Sequence, residues 1–146
     1  MSGGDDWMAN LDIIQPVAVL ALFTLAILLL MGLRRLKAQL AGQVTEDDFK
    51  FGESARVPPE VGILNRNYMN LLELPMLFYV GSIVILVTGQ TDKTYLWLAW
   101  AYVALRLVHS AIHLTYNRVL HRLFAFAASN AVLVIMWIRI LFLTRT

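Results

Sequence analysis

Ile13 to Leu33 is an unbroken run of 21 residues with no ionisable group. At ~1.5 Å per residue such a run crosses a hydrocarbon core of about 30 Å as one helix. The pattern predicts three further spans, at 63–87, 95–117 and 123–144, each apolar overall but punctuated by polar residues. Arg66, Asn67, Asn70 and Glu73 fall in the second, Arg106, His109 and His113 in the third, and Arg139 in the fourth. One connection is long, 34–62, and its GQVTEDDFKFGESARVPPEVG reads as an interfacial loop, because the paired prolines cannot continue a helix. TGQTDK makes a tight second connection, whereas the third, near 117–122, has neither Gly nor Pro to fix its boundary. The expectation is an all-α, integral membrane four-helix bundle occupying 1–146 as a single domain without internal repeats.

Composition supports that class and excludes others. Apolar residues make up 59% and charged residues 15%, against roughly 45–50% and about 25% in soluble domains. A soluble chain of this size leaves about a third of its unfolded surface wet after folding and has no means of hiding so much hydrocarbon. With no cysteine there is no disulfide framework and no protein thiol nucleophile, so any sulfur chemistry needs a borrowed sulfur. A net charge of +2 argues for no nucleic-acid partner. The leader MSGGDDWMANLD is acidic and precedes no small-residue cleavage pattern, so the first span is expected to stay in the mature protein. Arg34, Arg35, Lys37, Lys50 and Arg56 in the first loop, with Arg118 and Arg122 in the third turn, place those two loops in the cytoplasm and both termini outside.

The polar residues within the spans carry the functional information. An ionisable group near the bilayer centre costs roughly 2.5–3.5 kcal/mol on the insertion scale and normally faces a partner or a wet cavity. Arg66, Asn70 and Glu73 recur at i, i+4 and i+7, on one face of the second helix. Arg106, His109, His113 and Asn117 make a second stripe on the third helix. Two readings stand side by side: a buried ion-pair network, with Glu73 satisfied by Arg106 or a histidine, or a ligand pocket between the stripes. His109 and His113 have the spacing of a helical metal pair, but no third ligand or general base lies near, so no metal is expected. His121, on the same side of the membrane, does not complete a bis-histidine haem site. Pro75 removes a backbone donor and predicts a kink just after Glu73. Tyr95, Trp97, Trp100 and Tyr102 read as an interfacial aromatic belt.

The stretch Arg66-Asn67-Tyr68-Met69-Asn70-Leu71-Leu72-Glu73-Leu74-Pro75 resembles the R-x-x-x-N-x-x-E motif, with a following proline, of the MAPEG family, the membrane-associated proteins in eicosanoid and glutathione metabolism. Arg106 to Leu114 is similar to the R-x-x-H-[ST]-x-x-Y-L pattern of its prostaglandin E synthase branch, close to the microsomal glutathione transferases, with His113 where that pattern has tyrosine. The resemblance implies a homotrimer of left-handed four-helix bundles with glutathione, as co-substrate, in clefts between adjacent subunits near the cytoplasmic face. It implies that Arg66, Asn70 and Glu73 contact glutathione, that His109 does so too, and that Arg34 or Arg35 reaches the ligand from the end of the first helix. Counting on from His109, Arg122 falls on the arginine that stabilises the glutathione thiolate and Arg118 on a nearby basic position.

Chemistry agrees with those roles. Glutathione carries carboxylates, an ammonium and a thiol, and arginine forks bind carboxylates bidentately. Cationic neighbours favour the thiolate by lowering a thiol pKa from about 8.5. The expected activity is transfer of glutathione to a lipophilic electrophile, or reduction of a lipid hydroperoxide, with membrane lipid around the protein, Arg122 as thiolate stabiliser and His113 as proton donor or orienting group. The alternative is a non-catalytic member of the same fold serving a larger membrane complex or binding another amphiphile. The compact chain and the variant second-helix motif favour a bacterial inner membrane.

Overall fold

The computed structural model describes residues 11–143. Among the described residues five α-helices, α1 (Ile14–Leu40), α2 (Pro59–Leu72), α3 (Pro75–Val87), α4 (Lys93–Leu114) and α5 (Val119–Leu143), and a short 3₁₀ helix, Glu46–Phe49, make up the regular structure. Helices α2 and α3 together form one span, Pro59–Val87, so four segments are long and apolar enough to cross a membrane. Only 28–39% of their most apolar windows is buried inside the protomer. Leu22, Leu29, Phe124 and Leu141 are among many large apolar side chains left on the outside, which suits a lipid surround and not water.

Helix α4 packs most extensively on α5 and α1 on α2, with smaller contacts between α2 and α4 and between α3 and α5. Lipid tails are as apolar as leucine, so shape and close approach hold such a core together. Phe78 and Tyr102 stack with ring centroids 4.8 Å apart, and Leu20, Ile85, Ala99, Val103 and Met136 fill the space around them. Gly81 lets α3 approach its neighbours closely, since a methyl group there would stand 3.3 Å from both the Tyr95 hydroxyl and Ile140 Cδ1. The Trp137 indole, unaffordable in hydrocarbon without a partner, donates to the Leu77 carbonyl at 3.2 Å.

The helix boundaries differ from the hydropathy reading at instructive places. Helix α1 continues past Leu33 to Leu40, because Arg, Leu, Lys, Ala and Gln are good helix formers in water as well as in lipid. It stops where Gly42 takes φ +70° and Gln43 N–H turns back to the Ala38 carbonyl at 2.9 Å. The Gly-free third turn closes on Asn117 at φ +46°, a conformation that asparagine tolerates better than most residues. Arg139, near the end of the last span, pairs with Asp92, which also caps α4 by accepting from Tyr95 N–H at 2.6 Å.

Residues 41–58 form an ordered loop at the end of the bundle opposite Asp92. Asp48 is its hub: its carboxylate accepts from Thr45 N–H at 2.8 Å, Thr45 Oγ1 at 3.0 Å and Ser54 Oγ at 2.6 Å, and Arg56 Nε lies 3.2 Å away. The Ser54 hydroxyl and the Thr45 amide, more than the Arg56 charge, hold the carboxyl down to about pKa 2. Val44, Val57 and Phe49 join Ala38 and Val61 in a small apolar cluster that fastens the loop to α1 and α2.

Candidate functional site

The carboxylate that the sequence places deepest in the second span sits at a break in the backbone. Helix α2 ends at Leu72, and Glu73 is its C-cap at φ −68°, ψ −87°. Glu73 N–H still bonds the Met69 carbonyl at 3.1 Å, but Pro75, with no N–H, cannot bond Leu71 and instead opens α3. The expected kink is therefore an interruption, and it lies beside the acidic group.

Arg66, Asn70 and Glu73 share the helix face that their spacing implies, and that face lines a cavity of about 480 Å³, within the usual range of ligand pockets. His109 and His113 on α4 and Arg122 on α5 line the same cavity, with Met69 and Phe126 among the apolar walls. The two histidine rings lie parallel, centroids 5.9 Å apart, and His109 meets the Phe126 ring edge-on at 5.7 Å. His109 Nε2 and His113 Nδ1 are buried without a hydrogen-bond partner. Arg122 Nη1 donates to Asn117 Oδ1 at 2.9 Å, which anchors it at the mouth formed by the third turn.

The charged groups of this cavity are not mated to one another. Among the described residues the side-chain ion pairs are Arg35–Glu53, Arg56–Asp48 and Arg139–Asp92, and none includes Arg66, Glu73, Arg106 or Arg122. Arg66 and Glu73 remain exposed at the protomer surface. The ion-pair network is thus not what the protomer builds. An open pocket holding two arginines, two asparagines, a carboxylate and two histidines offers complementary partners to a small zwitterion that carries carboxylates and an ammonium.

Three basic residues lie elsewhere. Arg35 is committed to the loop, bonded to Glu53 at 3.0 Å and stacked over the Phe49 ring at 4.6 Å. Arg34 is exposed and lines a separate cavity of about 450 Å³ on the other side of Arg66, with Glu60, Thr115 and Asn117. Arg118 is exposed and lines neither cavity. Sequence reasoning passed over Phe126, which its i+4 spacing from Arg122 could have flagged, and Asp48, whose Thr-x-x-Asp pattern is a capping-box signal. Among the described residues no three His, Cys, Asp or Glu side chains gather in a metal-binding group.

The MAPEG family model matches residues 13–142, from the start of the first span to the end of the last. The chain belongs to the MAPEG family. Neither the curated proteins nor the solved structures yield a match. This family comprises integral membrane proteins, includes glutathione transferases and peroxidases as well as non-catalytic members, and generally uses glutathione. In this MAPEG chain the helix-two motif and the two histidines of α4 converge on one cavity.

Proposed function

We propose that this protein is a glutathione-dependent membrane transferase or peroxidase of the prostaglandin E synthase and microsomal glutathione transferase branch, acting on a lipophilic electrophile or a lipid hydroperoxide. The observation that carries the reading is the cavity in which Arg66, Asn70, Glu73, His109, His113 and Arg122 meet without pairing. Glu73 receives the glutathione ammonium, Arg66 a carboxylate, and Asn70 and His109 the peptide groups between them. Arg122 faces the sulfur and favours the thiolate, the attacking species. In transfer, the sulfur forms a bond to the electrophilic carbon as the leaving group departs; in peroxide reduction it attacks one peroxide oxygen, the O–O bond breaks to release the alkoxide, and a second glutathione condenses with the sulfenic acid so formed to give the disulfide and water. His113 supplies or orients a proton at the departing oxygen.

The site is completed by a second copy in a homotrimer of left-handed bundles. Arg66 and Glu73 are exposed on the protomer within Pro59–Val87, a segment apolar enough to cross a membrane, and ionisable groups at membrane depth require a neighbour or a ligand. Because Arg35 is held by Glu53, Arg34 is the first-helix arginine that is free to reach an adjoining subunit's ligand, with Arg118 adding positive potential nearby. The arginine-rich loops face the cytoplasm, both termini lie outside, and a bacterial inner membrane is the setting. The test is catalytic: detergent-purified protein with glutathione and chlorodinitrobenzene, then with a fatty-acid hydroperoxide. Product formation that saturates in glutathione is the expected result. No turnover above the uncatalysed rate with either substrate overturns the enzyme assignment in favour of a non-catalytic subunit or amphiphile-binding role.

A further inference from the structure

Arg106 is an ionised side chain in the middle of a membrane-spanning helix, two turns from the end of α4, and is 1% exposed. A buried guanidinium at that depth is expensive unless an anion compensates it. No carboxylate pairs with it among the described residues. Its Nε donates to the Tyr102 hydroxyl at 3.1 Å, while Nη2 is buried with no partner. The guanidinium lies over two rings, Tyr102 at 5.5 Å and Phe126 at 5.3 Å, which stabilise it partially through their quadrupoles.

Phe126 is also a wall of the polar cavity, and His109, the other group in contact with that ring, lines the cavity too. Arg106 itself does not line it. A fixed positive charge therefore stands immediately behind the cavity lining, excluded from solvent and lacking its counter-ion. We infer that Arg106 is a positioning residue whose uncompensated charge, acting across Phe126, biases the cavity toward an anionic sulfur, so that the bound thiolate is its missing counter-ion. The inference rests on the glutathione reading of the site. Charge on the ligand's sulfur, and not the peptide clamp of Arg66, Asn70 and Glu73, is what Arg106 reads. The other ionisable groups facing the cavity are Arg66 and Glu73 from α2, His109 and His113 from α4, and Arg122 from α5. Glu73 is the one acidic side chain among them. Arg122 is half-buried and bonded to Asn117 at the mouth, so salt reaches it far more readily than it reaches Arg106.

Two ligands separate sulfur charge from peptide recognition: glutathione sulfonate, anionic at the sulfur, and S-methylglutathione, neutral there. Calorimetry on the detergent-solubilised protein should show wild type preferring the sulfonate, and Arg106→Met reducing that preference by about tenfold, as one charge acting over a short, poorly screened distance implies. S-methylglutathione affinity should stay within a factor of about two. Arg106→Lys should restore most of the preference. A purely structural arginine would lower Tm in the methionine variant and leave the ratio unmoved, which overturns the inference. Should the methionine variant not fold, the wild type decides: a preference that persists in 0.5 M salt supports a buried cation, whereas one that collapses assigns the effect to exposed arginines and refutes it. If neither glutathione sulfonate nor S-methylglutathione binds wild type, the glutathione reading itself fails and this inference with it; if they bind but the ratio ignores Arg106, only the inference fails.

Discussion

Asp48 and Glu73 are carboxylates of one chain held in opposite circumstances. Asp48, in the loop, accepts three hydrogen bonds from Thr45 and Ser54 and lies beside Arg56. Glu73, at the break between α2 and α3, faces a cavity with no ion pair among the described residues. Asp48 is only 2% exposed, where a bare carboxylate is costly, and the loop supplies its partners. Glu73 is exposed on the protomer but lies within a segment apolar enough to cross a membrane, and it is the one left without an ion pair among the described residues. Arg139 and Asp92 repeat the paired pattern at the opposite end, and Arg106 repeats the unpaired one beside the cavity. Charges that build this fold are satisfied within it, and those that gather at the cavity have no ion-pair partner among the described residues.

The contrast can be broken most severely at the cavity. Arg122→Ala should lower turnover with chlorodinitrobenzene by about 10²-fold, the usual effect of removing one group that stabilises developing charge, while weakening glutathione binding much less. Steady-state kinetics beside calorimetry would show the split, and an unchanged rate would remove Arg122 from the chemistry. Glu73→Gln should weaken glutathione binding by about 10–100-fold, corresponding to a lost charged hydrogen bond of roughly 1.5–3 kcal/mol, with little change in Tm.

Changes at the satisfied positions should have the reverse profile. Asp48→Asn should speed hydrogen exchange across residues 41–58 and leave glutathione affinity near wild type. Acid should act in the same direction. The folded carboxyl titrates at about 2, below its unfolded value of 3.8, so its stabilisation is complete above about pH 4 and fades as pH falls toward 2. Protection factors in the loop, corrected for the intrinsic slowing of exchange in acid, should therefore fall within that window, and protection indifferent to pH there would show that Asp48 does not organise it. The smallest effect belongs to Arg139→Ala, about 0.5 kcal/mol for a partly exposed pair, measurable as a slight fall in Tm with activity unchanged.

Much of this was legible from spacing, because helical periodicity is local. Positions i, i+4 and i+7 must share a face, and Arg66, Asn70 and Glu73 do. Other features depend on what hydropathy does not encode. The apolar run marks where hydrocarbon ends, at Leu33, but the helix persists to Leu40 on residues that favour helix in water. Arg34 and Arg35 were equivalent until the loop delivered Glu53 and Phe49 to one of them. Phe126 looked like any apolar residue of a membrane helix; its importance comes from Arg106 behind it and the cavity before it. Long-range partners of this kind are set by tertiary packing, and no single helix specifies them.

The most direct test is a calorimetric titration of the detergent-purified wild-type protein with glutathione. The account predicts saturable binding that is abolished or strongly weakened by Glu73→Gln and Arg66→Ala, although both variants fold. Absence of binding heat up to millimolar glutathione, or binding indifferent to both substitutions, would contradict it.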